Sequence, residues 1–180
     1  MTARELPRGL LVLIALLALQ LTVVLDVHIG GAHPDLMLGL GVTAGLAGGT
    51  QRGAIGGFFS GIALDLFLPT PFGLSALVGT VVGAAAGQLV AAGVDRSTWF
   101  FVPGVAALGS VVGVIMFAVL GTVVGQPDML TVNLATVVVV VAVVNGLLGS
   151  VYMALWRWVI GEREGGSGAW RGTLVSGDAP

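Results

Sequence analysis

Long stretches without a charged residue constrain this chain more than any other feature. Of its 180 residues, seven are basic and nine are acidic, whereas an ordinary globular domain is roughly a quarter charged. The longest uncharged stretches, which include residues 99–125 and 130–156, exceed the roughly 20 residues that a helix needs to cross the ~30 Å hydrocarbon layer of a bilayer. Hydrophobic residues make up 56% of the chain, and its mean hydropathy is +1.05. The sequence therefore predicts an integral membrane protein.

The charged residues divide this apolar sequence into about six candidate spans. They cover residues 9–25, 36–51, 53–68, 73–94, 99–125 and 130–156. Helices are expected, because backbone polar groups in lipid must be bonded internally and the alternating pattern of a membrane β-barrel is missing. The predicted fold is all-α, with a six-helix transmembrane domain at 1–160. A shift to Gly, Ser and charge predicts a disordered cytoplasmic tail at 161–180.

The distribution of arginine predicts the orientation of the spans. Every basic residue is an arginine, and all of them fall at the chain ends or in alternate loops: Arg4, Arg8, Arg52, Arg96, Arg157, Arg163 and Arg171. The other loops contain none. Because short cytoplasmic loops carry the excess of basic residues, both termini are expected in the cytoplasm.

Glycine is the residue that predicts how the helices pack. The chain has 30 glycines, more than twice the usual frequency, and many lie four residues apart. Three such ladders are Gly41, Gly45, Gly49; Gly53, Gly57, Gly61; and Gly79, Gly83, Gly87. This spacing places the glycines on one helical face, where two backbones can approach closely. A compact bundle is expected, and a ladder facing a partner protein's helix is the open alternative.

Asp65 is the charged residue that interrupts an apolar span. Counted from Arg52 at 1.5 Å per residue, it lies roughly 20 Å across the membrane. A carboxylate there must face the bundle interior, a cavity or a partner. Two interpretations are open: a helix-end residue that accepts hydrogen bonds from backbone N–H groups near Pro69, or a binding or assembly residue.

Motifs for catalysis or metal binding are weak or missing. His28, His33 and Asp35 could in principle hold a metal, but their spacing matches no zinc pattern, so solvated loop residues are expected. Pro34 and Asp35 fit the start and N-cap of the second helix. No nucleophile, zinc-protease or phosphate-loop motif occurs, so neither an enzyme nor a cofactor is predicted. A net charge of −2 without a basic patch argues against nucleic acid.

The order of features from Pro34 to Leu77 is distinctive. Pro34-Asp35 opens a short apolar helix and Arg52-Gly53 ends it; Gly56-Gly57-Phe58, Gly61-Ile62, Asp65, Gly73 and Ala76-Leu77 follow. This order resembles the rod-shape-determining protein MreD family, whose central segment reads Pro-Asp, an apolar helix, Arg-Gly, then G-F-x-x-G-L-x-x-D and G-x-x-A-L. Ile62 stands where leucine is more usual. The match covers about a quarter of the chain, and the last two helices carry no matching motif.

The resemblance implies a non-catalytic component of the bacterial cytoplasmic (inner) membrane that scaffolds the cell-elongation machinery. Implied partners are MreC, the MreB filament, and the RodA and penicillin-binding synthases of peptidoglycan. It gives an assembly or structural role to Pro34, Asp35, Arg52, Gly53, Gly57, Phe58, Gly61, Asp65 and Gly73. The family is also similar in fold to the substrate-binding subunits of energy-coupling-factor vitamin transporters. The alternative function is therefore a membrane subunit that captures a small molecule from the outer side.

Overall fold

The structure, a computed structural model, describes residues 5–24, 33–67, 71–93, 98–126 and 134–161. This part of the chain forms five α-helices and no strand, which confirms the all-α prediction. The helices are α1 (Glu5–Leu19), α2 (Leu36–Asp65), α3 (Leu74–Ala91), α4 (Phe101–Val123) and α5 (Leu134–Ile160), and a π-helical turn at Gln20–Val24 extends α1. Apart from Gly161, the predicted tail lies outside the described residues.

Four helical segments are long and apolar enough to cross a membrane. They are Glu5–Thr22 and the helices α3, α4 and α5. Their apolar side chains remain exposed on the outer surface of the bundle, for example Leu108, Val139 and Leu147. Such a surface suits lipid and not water, as expected of a helical membrane protein.

Helix α2 folds back on itself at Gly49. This residue has φ 80° and ψ −176°, a conformation that residues with a Cβ rarely adopt. In a straight helix, Gly41 and Gly57 would lie about 24 Å apart. Instead, a Cβ built on Gly41 would lie 2.9 Å from the Cα of Gly57. We call residues 36–48 the first arm of α2 and residues 50–65 the second arm; they pack antiparallel.

The sequence predicted a break between two short spans at Arg52-Gly53, whereas the structure places it at Gly49. Arg52 and Gly53 lie inside the second arm. The prediction that Gly49 shares a helical face with Gly41 and Gly45 is wrong, because Gly49 supplies the positive φ of the turn. The apolar pattern alone does not separate a helix-face glycine from a turn glycine.

The first arm of α2 is the centre of the bundle. Every residue from 36 to 46 is buried, as expected of a helix that is apolar on all sides. Val42 packs against Gly109 of α4, and the indole N–H of Trp156 in α5 donates to the carbonyl oxygen of Leu40 at 3.1 Å. Neighbouring helices therefore enclose this arm.

Two of the glycine ladders pack against each other between the second arm and α3. A Cβ added to Gly57 would collide with the carbonyl group of Gly79, and one added to Gly83 would collide with the carbonyl group of Gly53. These backbones are in direct contact, as close-packed membrane helices with small residues are expected to be. The interpretation of these ladders as intramolecular packing is confirmed.

Polar contacts join the helices at one end of the bundle, and the opposite end holds the starts of two helices. At one end, Arg52 forms an ion pair with Glu5 at 3.3 Å, and the Arg8 guanidinium lies 5.3 Å from the ring centroid of Trp158. The start of α1, the Gly49 turn and the end of α5 thus meet at what we call the arginine end. The starts of α2 and α3 and the π-helical turn lie at the opposite end, which we call the far end.

Candidate functional site

Buried and partly buried polar groups concentrate at the far end, beginning with the partly buried Asp35. Its carboxylate accepts a hydrogen bond from the backbone N–H of Leu38 at 3.1 Å, so Asp35 is the N-cap of α2, as the sequence predicted. Burial raises the pKa of this carboxyl above its ordinary value, although backbone hydrogen bonds from Leu38 and Met37 act in the opposite direction.

Gln20 attaches the end of α1 to the same helix start. Its side-chain amide donates to the carbonyl oxygen of Pro34 at 2.9 Å and accepts from the N–H of Leu36 at 2.9 Å. The residue is buried, and both halves of its amide find partners. Gln20 therefore fixes α1 against α2 by satisfying backbone groups that a helix N-terminus leaves open.

Asn145 is the centre of a second polar network. Its Nδ2 donates to the carbonyl oxygen of Asp35 at 2.7 Å and to Ser110 Oγ at 2.9 Å. Its Oδ1 accepts from the hydroxyl of Tyr152 at 3.1 Å. Gly39 makes room for this network, because a Cβ there would lie 2.7 Å from the Tyr152 ring. The buried polar groups satisfy one another and join α2, α4 and α5.

Asp65 bridges the end of α2 and the start of α3. Its carboxylate oxygens accept from the backbone N–H groups of Gly73 at 2.9 Å, Ser75 at 3.1 Å and Ala76 at 3.2 Å. The side chain is only 4% exposed. These partners match the helix-end interpretation, since the bonded N–H groups lie just beyond the Pro69 region. A carboxylate at this place also complements the positive N-terminal end of α3.

Gly73 gives the Asp65 contact its geometry. It precedes α3 with φ 93°, in the left-handed region that favours glycine. In this conformation its own N–H points to the Asp65 carboxylate. The two residues, separated in sequence by the turn, form one cap.

The structure separates the remaining motif residues into three places. Gly53, Gly57 and Gly61 lie on the face of the second arm that contacts α3. Arg52 lies at the arginine end. Phe58 is 44% exposed and forms an edge-to-face pair with Phe59 at a centroid distance of 5.6 Å. Its side chain therefore lies on the bundle surface, whereas Asp65 and Gly61 of the same arm are buried.

A cavity of about 360 Å³ lies between α2, α3, α4 and α5 at the far end. Its polar lining consists of Gln20, His33, Asp35, Ser60 and Ser75. The rest of the lining is apolar or glycine, from Pro34, Met37, Leu38, Gly61, Leu64, Val78, Gly79, Gly113, Val114, Phe117, Val137 and Val141. The hydroxyl of Ser75 is buried and has no hydrogen-bond partner within the part of the chain that the structure describes.

The metal candidates come together only in part. His33 and Asp35 both line the cavity, whereas His28 lies outside the described residues. Among the residues that are described, no group of three His, Cys, Asp or Glu side chains could hold a metal ion.

Sequence reasoning missed Gln20, Ser75 and the Asn145 network. Asn145 and Gln20 are amides inside long apolar stretches, and a polar residue within a span is a signal of a buried contact or a site. That signal could have selected both residues. Ser75 lies at the start of a helix, where serine is common, so its sequence position does not indicate a site.

Comparison with known proteins gave no family: no protein-family model, no curated protein and no solved structure matches this chain.

Proposed function

We propose that this chain is a non-catalytic scaffold of the bacterial cytoplasmic membrane, acting in the cell-elongation machinery as an MreD-type protein. The observation that supports this proposal most is that the motif residues cap and join the helices. Asp35 caps the first arm of α2, and Asp65 and Gly73 together cap α3. The residues that carry the resemblance thus build one folded unit, as expected if the family motif specifies a rigid shape.

A six-span arrangement with both termini in the cytoplasm fits this function. Each arm of α2 crosses as a short span in this proposal, which adds two crossings to the four long segments. Its support is the grouping of Arg8 and Arg52 with the start of α1 and the end of α5 at the arginine end. Because basic residues favour the cytoplasmic side, that end faces the cytoplasm and the far end faces outward.

The proposed partners are an MreC-like protein, RodA-type and penicillin-binding synthases of peptidoglycan, and the MreB filament. Among the motif residues, Phe58 has a side chain on the bundle surface, so we assign it to partner contact. Aromatic side chains supply large contact areas at interfaces. Leu77, at the end of the motif, is also exposed, whereas Gly53, Gly57, Gly61 and Asp65 are buried.

A deletion strain of the host bacterium tests the scaffold function. Expression of the full chain should restore rod shape, and the tagged protein should copurify with the MreC-like partner. Phe58→Ala should lower the copurified partner several-fold at equal membrane level. Leu108→Ala, which removes an exposed apolar side chain of α4 outside the motif, is the control and should leave the yield unchanged. Normal cell shape after deletion would contradict the proposal.

The cavity at the far end favours a second candidate function, the small-molecule-binding subunit of a transporter. Its volume of about 360 Å³ falls within the usual range of ligand pockets. Transport and scaffolding predict different phenotypes. If the deletion strain keeps its rod shape but loses uptake of a vitamin-sized nutrient, the transporter function replaces the scaffold.

A further inference from the structure

We propose that the cavity at the far end binds an uncharged, single-chain amphiphile, with an apolar body and one hydroxyl or amide head group. This inference does not depend on the scaffold function, because it rests on the lining of the cavity alone. It assigns a ligand class to a cavity whose lining includes the motif residues Pro34, Asp35 and Gly61.

The size of the cavity limits the ligand. A volume of about 360 Å³ corresponds to about a dozen non-hydrogen atoms, at the roughly 30 Å³ that each water molecule occupies in the liquid. A single chain of that length fits. Two long acyl chains together exceed this volume.

The lining selects an apolar body. Leu64 from the second arm, Val78 from α3 and Phe117 from α4 contribute side chains from three directions. Val137 and Val141 add a fourth wall from α5. Because burying apolar surface is favourable in proportion to its area, a hydrocarbon segment among these side chains is the occupant that this part of the cavity suits.

Ser75 supplies a reason for a polar head group. Its hydroxyl lines the cavity and has no hydrogen-bond partner among the described residues. A buried hydroxyl without a partner is destabilising, and a native structure usually provides one. A hydroxyl or amide on the ligand can both donate to and accept from Ser75 Oγ.

Charge at the same end selects against an anionic head group. None of the described lining residues is Arg or Lys, so a carboxylate or phosphate would find no guanidinium or ammonium partner. The N–H groups that begin α3 already bind the Asp65 carboxylate. The Asp35 carboxyl, which also lines the cavity, would repel an anion when ionised.

A positively charged head group is a weaker fit than an uncharged one. Asp35 is the described carboxyl in the lining, and it already accepts a hydrogen bond from Leu38. An uncharged head avoids the cost of removing an ion from water.

Photolabelling of the purified full-length protein in lipid nanodiscs tests the proposal. The probe is a fatty alcohol of about a dozen non-hydrogen atoms that carries a diazirine, and the labelled residues are mapped by mass spectrometry. We expect labels on cavity residues such as Met37, Leu64 and Phe117. Unlabelled decanol should displace them, whereas decanoate at pH 8 and decylamine should each need at least a tenfold higher concentration.

Three variants locate the site. Val114→Phe fills the cavity and should weaken the competition by decanol at least tenfold. Val112→Phe, on the exposed face of the same helix, is the matched control and should behave as the unchanged chain. Ser75→Ala removes only the hydroxyl and should weaken decanol several-fold, whereas decane, which has no head group, should be unaffected. Because Ser75→Ala is a small change, it remains informative if Val114→Phe does not fold.

Several outcomes would overturn the proposal. Labels confined to lipid-facing residues such as Leu108, without displacement by decanol, would mean that the probe only partitions into the bilayer. Stronger competition by decanoate or decylamine than by decanol would refute the uncharged head group. Displacement by a long-chain diacylglycerol would refute the single-chain size.

Discussion

At the scale of single residues, Asp65 shows how an ionisable group is accommodated in an apolar chain. A charge near the middle of a membrane helix costs roughly 2.5 to 3.5 kcal/mol on insertion scales, and less toward the interface. Three backbone N–H groups hydrogen-bond the carboxylate, and hydrogen bonds to charged groups are the strong ones. The carboxylate in turn satisfies donors at the start of α3. Stability on both sides of the turn therefore depends on this one side chain.

We predict that Asp65→Asn retains most of the stability and function, whereas Asp65→Leu loses both. Asparagine keeps one acceptor oxygen of similar size, whereas leucine leaves three N–H groups, one buried and two partly buried, without this acceptor. The expected loss in free energy of unfolding is about 1 kcal/mol for asparagine and about 3 kcal/mol for leucine. Thermal unfolding in mild detergent measures the stability, and rescue of cell shape measures the function. If asparagine folds normally but abolishes function as leucine does, Asp65 handles protons.

Asp35 gives a prediction that depends on pH. Because burial raises its pKa in the folded state, ionisation disfavours folding, and stability is lost as pH rises from the unfolded value toward the folded one. Asparagine is an equally good N-cap and cannot ionise. Asp35→Asn should therefore be more stable than the unchanged chain at pH 8, and the gain should shrink as pH falls toward 4. Melting temperatures across this range measure it, and a less stable variant at pH 8 would contradict the pKa assignment.

Individual site residues could be predicted where a polar or charged residue differs from its sequence neighbours. Asp65 could be assigned as a candidate because it is a charge within an apolar span, and Asp35 because it precedes a helix. For the hydrogen-bond donors to Asp65, the sequence predicted only that they are backbone N–H groups near Pro69. It did not identify Gly73 and Ser75. The Asn145 network was not predicted, because it joins groups on three helices, and pairing between helices depends on their relative placement.

At the scale of elements, the positions of glycine determine where two helices pack in close contact. The contact between the second arm of α2 and α3 requires residues without a side chain, because Gly53 and Gly57 contact carbonyl groups of α3 directly. The sequence predicted these ladders from their spacing of four. It placed the break in α2 at the charged residue, Arg52, because charge was the boundary signal. The structure uses the conformational freedom of Gly49 instead, and Arg52 pairs with Glu5 inside the fold.

A pair of matched substitutions tests the role of these contacts. Gly57→Ala should lower the free energy of unfolding by about 1 to 3 kcal/mol, the usual cost of overpacking, because its Cβ would collide with the Gly79 carbonyl. Gly104→Ala makes the same chemical change on a helix where nothing lies within 4 Å of the new Cβ. It should be neutral or stabilising. Thermal unfolding of the two variants in one detergent compares them, and equal stability would mean that α3 does not pack on Gly57.

At the scale of the whole molecule, the proposed function requires a particular orientation of the bundle across the membrane. The arginine end joins Arg8 and Arg52 to the start of α1 and the end of α5, while the far end holds the caps and the cavity. If the arginine end faces the cytoplasm, the cavity opens toward the outer half of the bilayer, and the hairpin of α2 crosses twice. The proposed scaffold, a link between a cytoplasmic filament and synthases outside, needs this arrangement.

Cysteine labelling on intact cells is the most direct measurement, because the chain has no cysteine of its own. Single cysteines replace Gln126, at the far end of α4, and Thr98, just before α4 at the arginine end; both positions are exposed. With the outer barrier opened, an impermeant maleimide should label Gln126→Cys on intact cells, and Thr98→Cys only after the cytoplasmic membrane is permeabilised. Labelling of Thr98→Cys but not Gln126→Cys in intact cells would reverse the orientation and contradict the account.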